Sequence, residues 1–246
     1  MAKIILLEDT WNEDNEADDI IEYADKNKYD ISILSVDDLY KLDSMYFLST
    51  IYFCDTKIVQ YHLQKANIIN IVPNTYDEKY NKYYNRSIEQ IHFTEFIKKY
   101  DGIKRFIKPV SNDKDFSGRV IETFNDFENY GVEIPNTNQM VYSCEPVEFI
   151  SEIRLLIGNN KLYGHGYMSG KHTKSYLKCS TMLDDLITIT NNDYCCIDIG
   201  LMVHNSDLQW SIIEINPPFS IDDHEILFDD YISFCIDACR YIYTKL

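Results

Sequence analysis

A chain of 246 residues suits one compact domain or two small ones sharing an interface, and 45% apolar with 26% charged residues excludes bulk disorder. A formal charge of −17 argues against holding a nucleic-acid backbone. The apolar run after Met1 is too short for an export signal, and no stretch reaches the ~18 apolar residues of a membrane span.

From the N-terminus, short apolar runs at Lys3–Leu7, Asp30–Leu34, Ile51–Cys54 and Ile68–Val72 alternate with helix-spaced stretches at Ala17–Lys26, Val36–Phe47 and Thr56–Lys65. That alternation over short links predicts a small parallel α/β layer. The acidic stretch Asp9–Asp19, with Trp11, reads as a solvated loop and helix start after the first strand, a place where ligands often sit. Pro73–Asn85 is polar and tyrosine-rich and reads as a linker. Arg86–Tyr100 has helical spacing. Strands follow at Gly102–Pro109 and Gly118–Thr123, a short helix around Asn125–Tyr130, then strands at Gln139–Cys144 and Glu152–Ile157. Gly158-Asn159-Asn160 signals a turn that returns Lys161–Tyr167 antiparallel. Thr181–Ile189 is helical, Tyr194–Val203 and Leu208–Ile215 form a hairpin, and Asp222–Leu246 has helical spacing. The expected architecture is an α/β N-terminal layer over residues 1–75, then an α+β body over 86–246 built on antiparallel sheets.

Seven cysteines without an export signal read as reduced thiols of a cytosolic protein. Cys235 and Cys239, four apart, suit one buried helix face, since no CxxC or matched Cys/His pair accompanies them. Basic residues are clustered despite the acidic total. Seven lysines and arginines against three aspartates lie between Lys98 and Arg119, and five without any acid lie from Ile153 to Leu183. Two such stretches can form one pocket for a small polyanion or two solvated faces.

The strongest chemical signal is the last hairpin, Cys196-Ile197-Asp198-Ile199-Gly200 with Ile212-Ile213-Glu214-Ile215-Asn216-Pro217. Side chains two apart on a strand share a face, so Glu214 and Asn216 point the same way. A turn centred on Ser206 sets Asp198 across from Glu214. Three oxygen-bearing side chains then converge without His or Cys, a donor set that favours Mg²⁺. A solvent-facing hairpin is the plainer alternative, but carboxylates set into an apolar strand are costly without a cation.

This hairpin resembles the metal-binding hairpin of ATP-grasp ligases, in which an aspartate, a glutamate and an asparagine hold magnesium on the ATP phosphates. Other motifs occur in family order between Phe106 and Asp222. Phe106-Ile107-Lys108-Pro109-Val110 resembles the strand whose lysine reaches phosphate, and Ser111–Arg119, with Ser117 and Gly118, resembles the phosphate-covering loop. Cys144-Glu145-Pro146-Val147-Glu148-Phe149-Ile150-Ser151-Glu152-Ile153-Arg154 resembles the hinge and the following strand. Together they resemble the compact ATP-grasp clade named for two arginines and one lysine, thought to include peptide or amide ligases.

The resemblance implies ATP and Mg²⁺, with metal on Asp198, Glu214 and Asn216. Backbone at Glu145–Glu148, including Val147, would read adenine, and Glu148 or Glu152 would hold ribose. Lys108 and Arg154 would be catalytic, Arg154 toward phosphate or an acyl phosphate. An ion pair with a neighbouring carboxylate is its plainer role. Arg86 is the substitute for a first phosphate lysine, and Lys171 and Lys174 lie in a loop that can clamp phosphate or stay solvated. No residue matches an acceptor-binding position.

The implied activity is ADP-forming ligation of a small-molecule or peptide carboxylate to an amine. A small-molecule kinase and a non-catalytic nucleotide-binding module are the alternatives. A cytoplasmic protein without nucleic-acid or membrane partners is expected. So are an intact fold on neutralising either Asp198 or Glu214 and little loss of stability on removing the charge of Lys108.

Overall fold

In a computed structural model, residues 4–9, 15–68, 75–110, 116–123, 125–126, 139–170, 181–204, 206–220, 222 and 224–246 are described. The N-terminal layer is a parallel sheet of order β2-β1-β3, from β1 (Ile4–Glu8), β2 (Asp30–Leu34) and β3 (Ile51–Phe53). Its helices are α1 (Asn15–Asn27), α2 (Val36–Lys41), α3 (Ser44–Leu48) and α4 (Thr56–Lys65). The single helix expected over 36–47 is two, because Asp43 caps α3 by accepting the Tyr46 N–H at 3.0 Å. The fourth run, at 69–72, lies outside the described residues, as do Trp11 and most of the helix expected at 125–130.

Two four-stranded sheets form the body. The first, of order β4-β7-β5-β6, contains β4 (Ile88–His92), β5 (Arg105–Pro109), β6 (Arg119–Ile121) and β7 (Met140–Cys144). The helix expected over 86–100 divides into β4 and α5 (Phe93–Lys99). Ile88 to His92 pair antiparallel with β7, and that ladder overrides the local helical spacing. Phe93 and Phe96 of α5 pack on Ile107 and Val141, on the sheet face opposite Lys108.

The second sheet, of order β11-β10-β8-β9, contains β8 (Ser151–Gly158), β9 (Lys161–Gly170), β10 (Tyr194–His204) and β11 (Asp207–Asn216). All its pairs are antiparallel. One face packs Ile153, Leu155, Ile197 and Ile199 on helix α6 (Thr181–Thr190). The supposed linker belongs to this core. Tyr80 and Tyr84 lie in or beside a 3-10 helix (Glu78–Tyr83), and with Tyr76 they are buried. Tyr76 sits edge-on to Tyr84 and to Tyr142 of β7, wedging the two sheets together. Tyrosine supplies large apolar area with a polar tip, which explains why a segment polar by composition is core by structure.

The other face of the second sheet packs Leu156 and Cys196 against the final helix, α7 (Phe228–Tyr243). Glycines make this possible. A Cβ on Gly166 would lie 1.9 Å from the His224 carbonyl oxygen, and one on Gly164 2.8 Å from Ile226. Helix α7 also packs on β3, so Ile5, Leu7 and Phe47 share one core with Phe234, Ile236 and Ile242. Cys235 and Cys239 are buried in it, and the six cysteines of the described residues are free thiols. No helix among the described residues is long and apolar enough to cross a membrane.

A shared core predicts one cooperative unit. Phe234→Ala should cost about 3–5 kcal/mol by opening a cavity. Wild type and variant should each unfold in a single thermal transition by far-UV and near-UV signals alike. Two separated transitions would show that the N-terminal layer folds apart from the body.

Candidate active site

The register of the final hairpin carries the geometry. His204 pairs with Asp207 and Val203 with Leu208, and this register holds as far as Ile199 with Ile212. Continued unchanged, it would set Asp198 against Ile213 and turn Glu214 into the α6 core. A β-bulge shifts it, and Asp198 pairs with Glu214. The pairing read from the sequence is therefore present, but the bulge produces it and not a turn centred on Ser206.

Arg86 braces the bulge. Its guanidinium donates to the carbonyls of Tyr84, Ile212 and Ile213 at 3.0, 2.9 and 3.0 Å, and to Ser211 Oγ at 3.2 Å. It also lies over the Tyr76 ring, 5.6 Å from the centroid. These bonds give Arg86 a backbone role, and the same side chain lines a cavity with Lys108 and Glu214. The sequence carried no mark of this, because its partners at the bulge are backbone carbonyls on a strand far along the chain.

Antiparallel partners share a face, so Glu214, Asp198, Arg154 and Gly166 form one row across the second sheet. Arg154 and Asp198 are 7% and 2% exposed and paired bidentately, Nε to Oδ1 and Nη2 to Oδ2, each at 2.9 Å. Arg154 also donates to the Asp222 carbonyl at 3.4 Å. Burial pushes the Asp198 carboxyl up, and Arg154 opposes the shift without cancelling it. Burial disfavours the Arg154 charge too, but Cys196, Asp198 and Asp222 carry its pKa above the usual value. The ion pair weighed in the sequence is thus real, with Asp198 as partner.

Lys108 arrives from the first sheet. It pairs with Tyr142 in the ladder, so its side chain leaves on the face turned toward the second sheet. Its ammonium meets Glu214 Oε2 at 2.5 Å and lies 5.7 Å from the Tyr76 ring centroid. Burial would raise the pKa of Glu214, but Lys108 holds it below the usual carboxylate range, aided by Asn216 and Arg154. Asn216 Nδ2 donates to Glu214 Oε1 at 3.0 Å and to Asp198 Oδ2 at 3.1 Å, tying the trio together. The donors are all hard oxygens, and a cationic ammonium already rests on one of them, so the trio fits Mg²⁺.

Three cavities meet at Glu214. One of 240 Å³ runs from it past Lys108 to Phe106, Val147, Glu145 and Glu152, with Ile213 opposite. A second of 230 Å³ holds Lys108, Ser117, Gly118 and Asn216. A third of 340 Å³ contains Arg154 and Asn216 and opens toward the N-terminal sheet. Gly118 is where β6 approaches β5, and a Cβ there would lie 2.5 Å from the Phe106 ring. Of the two ribose candidates only Glu152 lines the first cavity, and burial pushes its carboxyl up. Glu148 lines an adjoining cavity of 780 Å³ that shares Glu145, Val147 and Phe149 with the first and reaches Met202 and His204. Among the described residues the basic stretches send Lys108 and Arg154 inward, while Lys99 and Lys104 pair outside with Glu95 and Glu122. Lys171, Lys174 and residues 111–115 lie outside the described residues.

Two facing antiparallel sheets, one of them carrying the carboxylates of its hairpin toward the other, define an ATP-grasp body, and the comparisons agree. Residues 83–233 match the ATP-grasp domain of the clade named for two arginines and one lysine, in the second family of that clade. The chain belongs to that family. Among solved structures it is similar to the D-alanine–D-alanine ligase of Bacillus anthracis complexed with ATP, at 12% identity and a TM-score of 0.54, covering 98% of this chain and 99% of that one. It is also similar to D-cycloserine synthetase, at 7%, 0.60, and 97% and 99% coverage. A third is the N5-carboxyaminoimidazole synthetase of Staphylococcus aureus, at 12%, 0.59, and 94% and 76%. No curated protein sequence matches it.

The two carboxylates differ in what their removal leaves behind. Asp198→Asn strands the Arg154 charge in the interior and should cost about 3–5 kcal/mol. Pairing it with Arg154→Met should restore most of that loss. This corrects the expectation that either acid can be neutralised freely; only the more exposed Glu214 fits it. Arg86→Met should cost about 2–3 kcal/mol, since the bulge carbonyls lose their donor. Denaturant unfolding measures all three variants, and an Asp198→Asn protein as stable as wild type would contradict the buried pair.

Proposed function

We propose that this protein is an ADP-forming ligase that activates a carboxylate with ATP and joins it to an amine. The observation that carries the reading is the junction at Glu214, where three cavities meet beside Lys108 and Arg154. The family match supports ATP as the nucleotide, and the neighbours' names, ligases and synthetases, support the reaction class.

On this reading the base lies in the 240 Å³ cavity between Phe106 and Ile213, along Val147, with Glu152 within reach of the ribose. Ser117 and Gly118 line the phosphate chamber. Asp198, Glu214 and Asn216 would hold Mg²⁺, which supplies positive charge against the phosphates. Lys108 leaves Glu214 and meets the charge that grows as the γ-phosphoryl group departs; such fixed charges are the main protein contribution to phosphoryl transfer. Arg154, held rigid by Asp198, turns its outer edge toward the third cavity and orients the carboxylate that receives phosphate. A neutral amine from the same cavity then attacks the acyl carbon: the C–N bond forms, the C–O bond to phosphate breaks, the proton lost by the amine nitrogen passes to the departing phosphate, and inorganic phosphate leaves.

Incubation with ATP, Mg²⁺ and amino-acid mixtures should yield ADP, phosphate and an amide by mass. A stable phosphate ester in place of the amide would make the protein a kinase, and no ADP a binding module.

Lys108→Met keeps the apolar stem and should unfold near the wild-type temperature, because Glu214 keeps Asn216 and solvent. Its turnover should fall roughly 10²-fold or more. Glu214→Gln should likewise keep the fold and lose Mg²⁺-dependent turnover. Normal turnover in both variants would move the phosphate chamber elsewhere.

A further inference from the structure

Lys108 reaches from the first sheet toward the second, and among the described residues two groups receive its ammonium there. One is the Glu214 carboxylate; the other is the ring of Tyr76, whose centroid lies 5.7 Å away. An ammonium within ~6 Å of a ring centroid is drawn to the negative face of the ring.

Tyr76 is held so that it can give this attraction without moving itself. It is 7% exposed, and its ring meets those of Tyr84 and Tyr142 nearly at right angles, with centroids 5.5 and 4.8 Å apart. The carbonyl of Thr75, the residue before it, accepts the Ile215 N–H at 3.1 Å, which ties the ring to the strand that carries Glu214. The Arg86 guanidinium lies over the same ring, 5.6 Å from its centroid. One ring thus contacts the cation that braces the bulge and the cation that spans the sheets. All three side chains line the 240 Å³ cavity with Glu214.

The two partners of Lys108 respond differently to a ligand. On the ligase reading Mg²⁺ takes up the Glu214 charge, and a carboxylate neutralised by a divalent cation attracts an ammonium less. The ring has no net charge and is no ligand for a hard metal, so its quadrupole persists whatever the trio holds. It also leaves the three N–H donors of the lysine free to turn toward phosphate, whereas a carboxylate would compete for them.

We propose that Tyr76 is the positioning residue for Lys108: its π face keeps the ammonium beside the phosphate chamber once the contact with Glu214 is given up. This role rests on the nucleotide reading of the cavities.

The test uses the full chain and two variants, Tyr76→Phe and Tyr76→pentafluorophenylalanine. Both lack the hydroxyl, and fluorination reverses the ring quadrupole at nearly the same size. Calorimetric titration gives the affinity for the β,γ-imido analogue of ATP with Mg²⁺ relative to that for adenosine, which has no phosphate for Lys108 to meet. Tyr76→Phe should keep the wild-type ratio within about 2-fold, and the fluorinated ring should lower it roughly 5-fold or more. With Lys108→Met added, the two rings should give one ratio, because the cation that distinguishes them is gone. A ring that serves packing alone would give equal ratios for the two variants, or a difference that survives Lys108→Met, and either result overturns the proposal. If the wild-type chain binds neither probe, the nucleotide reading falls and the proposal with it. If it favours the Mg²⁺-bound analogue while the two rings are equal, the proposal alone falls.

Discussion

The site depends on one extra residue in a strand. The bulge beside Ile213 moves Glu214 from the face packed on α6 to the face shared with Asp198 and Arg154. Without it a carboxylate would enter an apolar core at large cost, and no acid would stand where the three cavities join. A bulge leaves carbonyl groups outside the ladder. Arg86 supplies their donors, and the buried tyrosines at 76, 80 and 84 carry the chain that brings Arg86 there. A positive charge distant in sequence thus serves the site by fixing backbone.

Four charges then neutralise each other in two unlike pairs. Arg154 with Asp198 is buried and bidentate, and breaking it leaves an uncompensated interior charge. Lys108 with Glu214 is more exposed, single-pronged, and spans the two sheets. The first pair is fixed and the second exchangeable. On the proposed reading that difference is functional: a rigid cation orients the carboxylate, while Lys108 can leave its partner for phosphate. The same cross-sheet contact would let nucleotide binding report on the relative placement of the sheets.

Much of this was legible in the sequence, for physical reasons that can be named. Strand periodicity of two showed that Glu214 and Asn216 share a face, and short apolar runs located β1, β2 and β3. What escaped depended on tertiary partners. The segment at 86–100 has helical spacing, yet β7 needed a second neighbour and took β4 from it. The tyrosines near 80 read as linker because composition cannot tell a tyrosine at the surface from one whose hydroxyl meets Thr190 inside. Arg86 was singled out for charge, and its partners are carbonyls that no side-chain motif records.

The most direct measurement is anomalous diffraction from crystals grown with Mn²⁺ in place of Mg²⁺ and a non-hydrolysable ATP analogue. The account predicts a metal peak about 2 Å from carboxylate oxygens of Glu214 and Asp198. It also predicts the Lys108 ammonium withdrawn from Glu214 to the phosphates. A metal peak away from this trio, or bound nucleotide with the Lys108–Glu214 pair still closed, would contradict it.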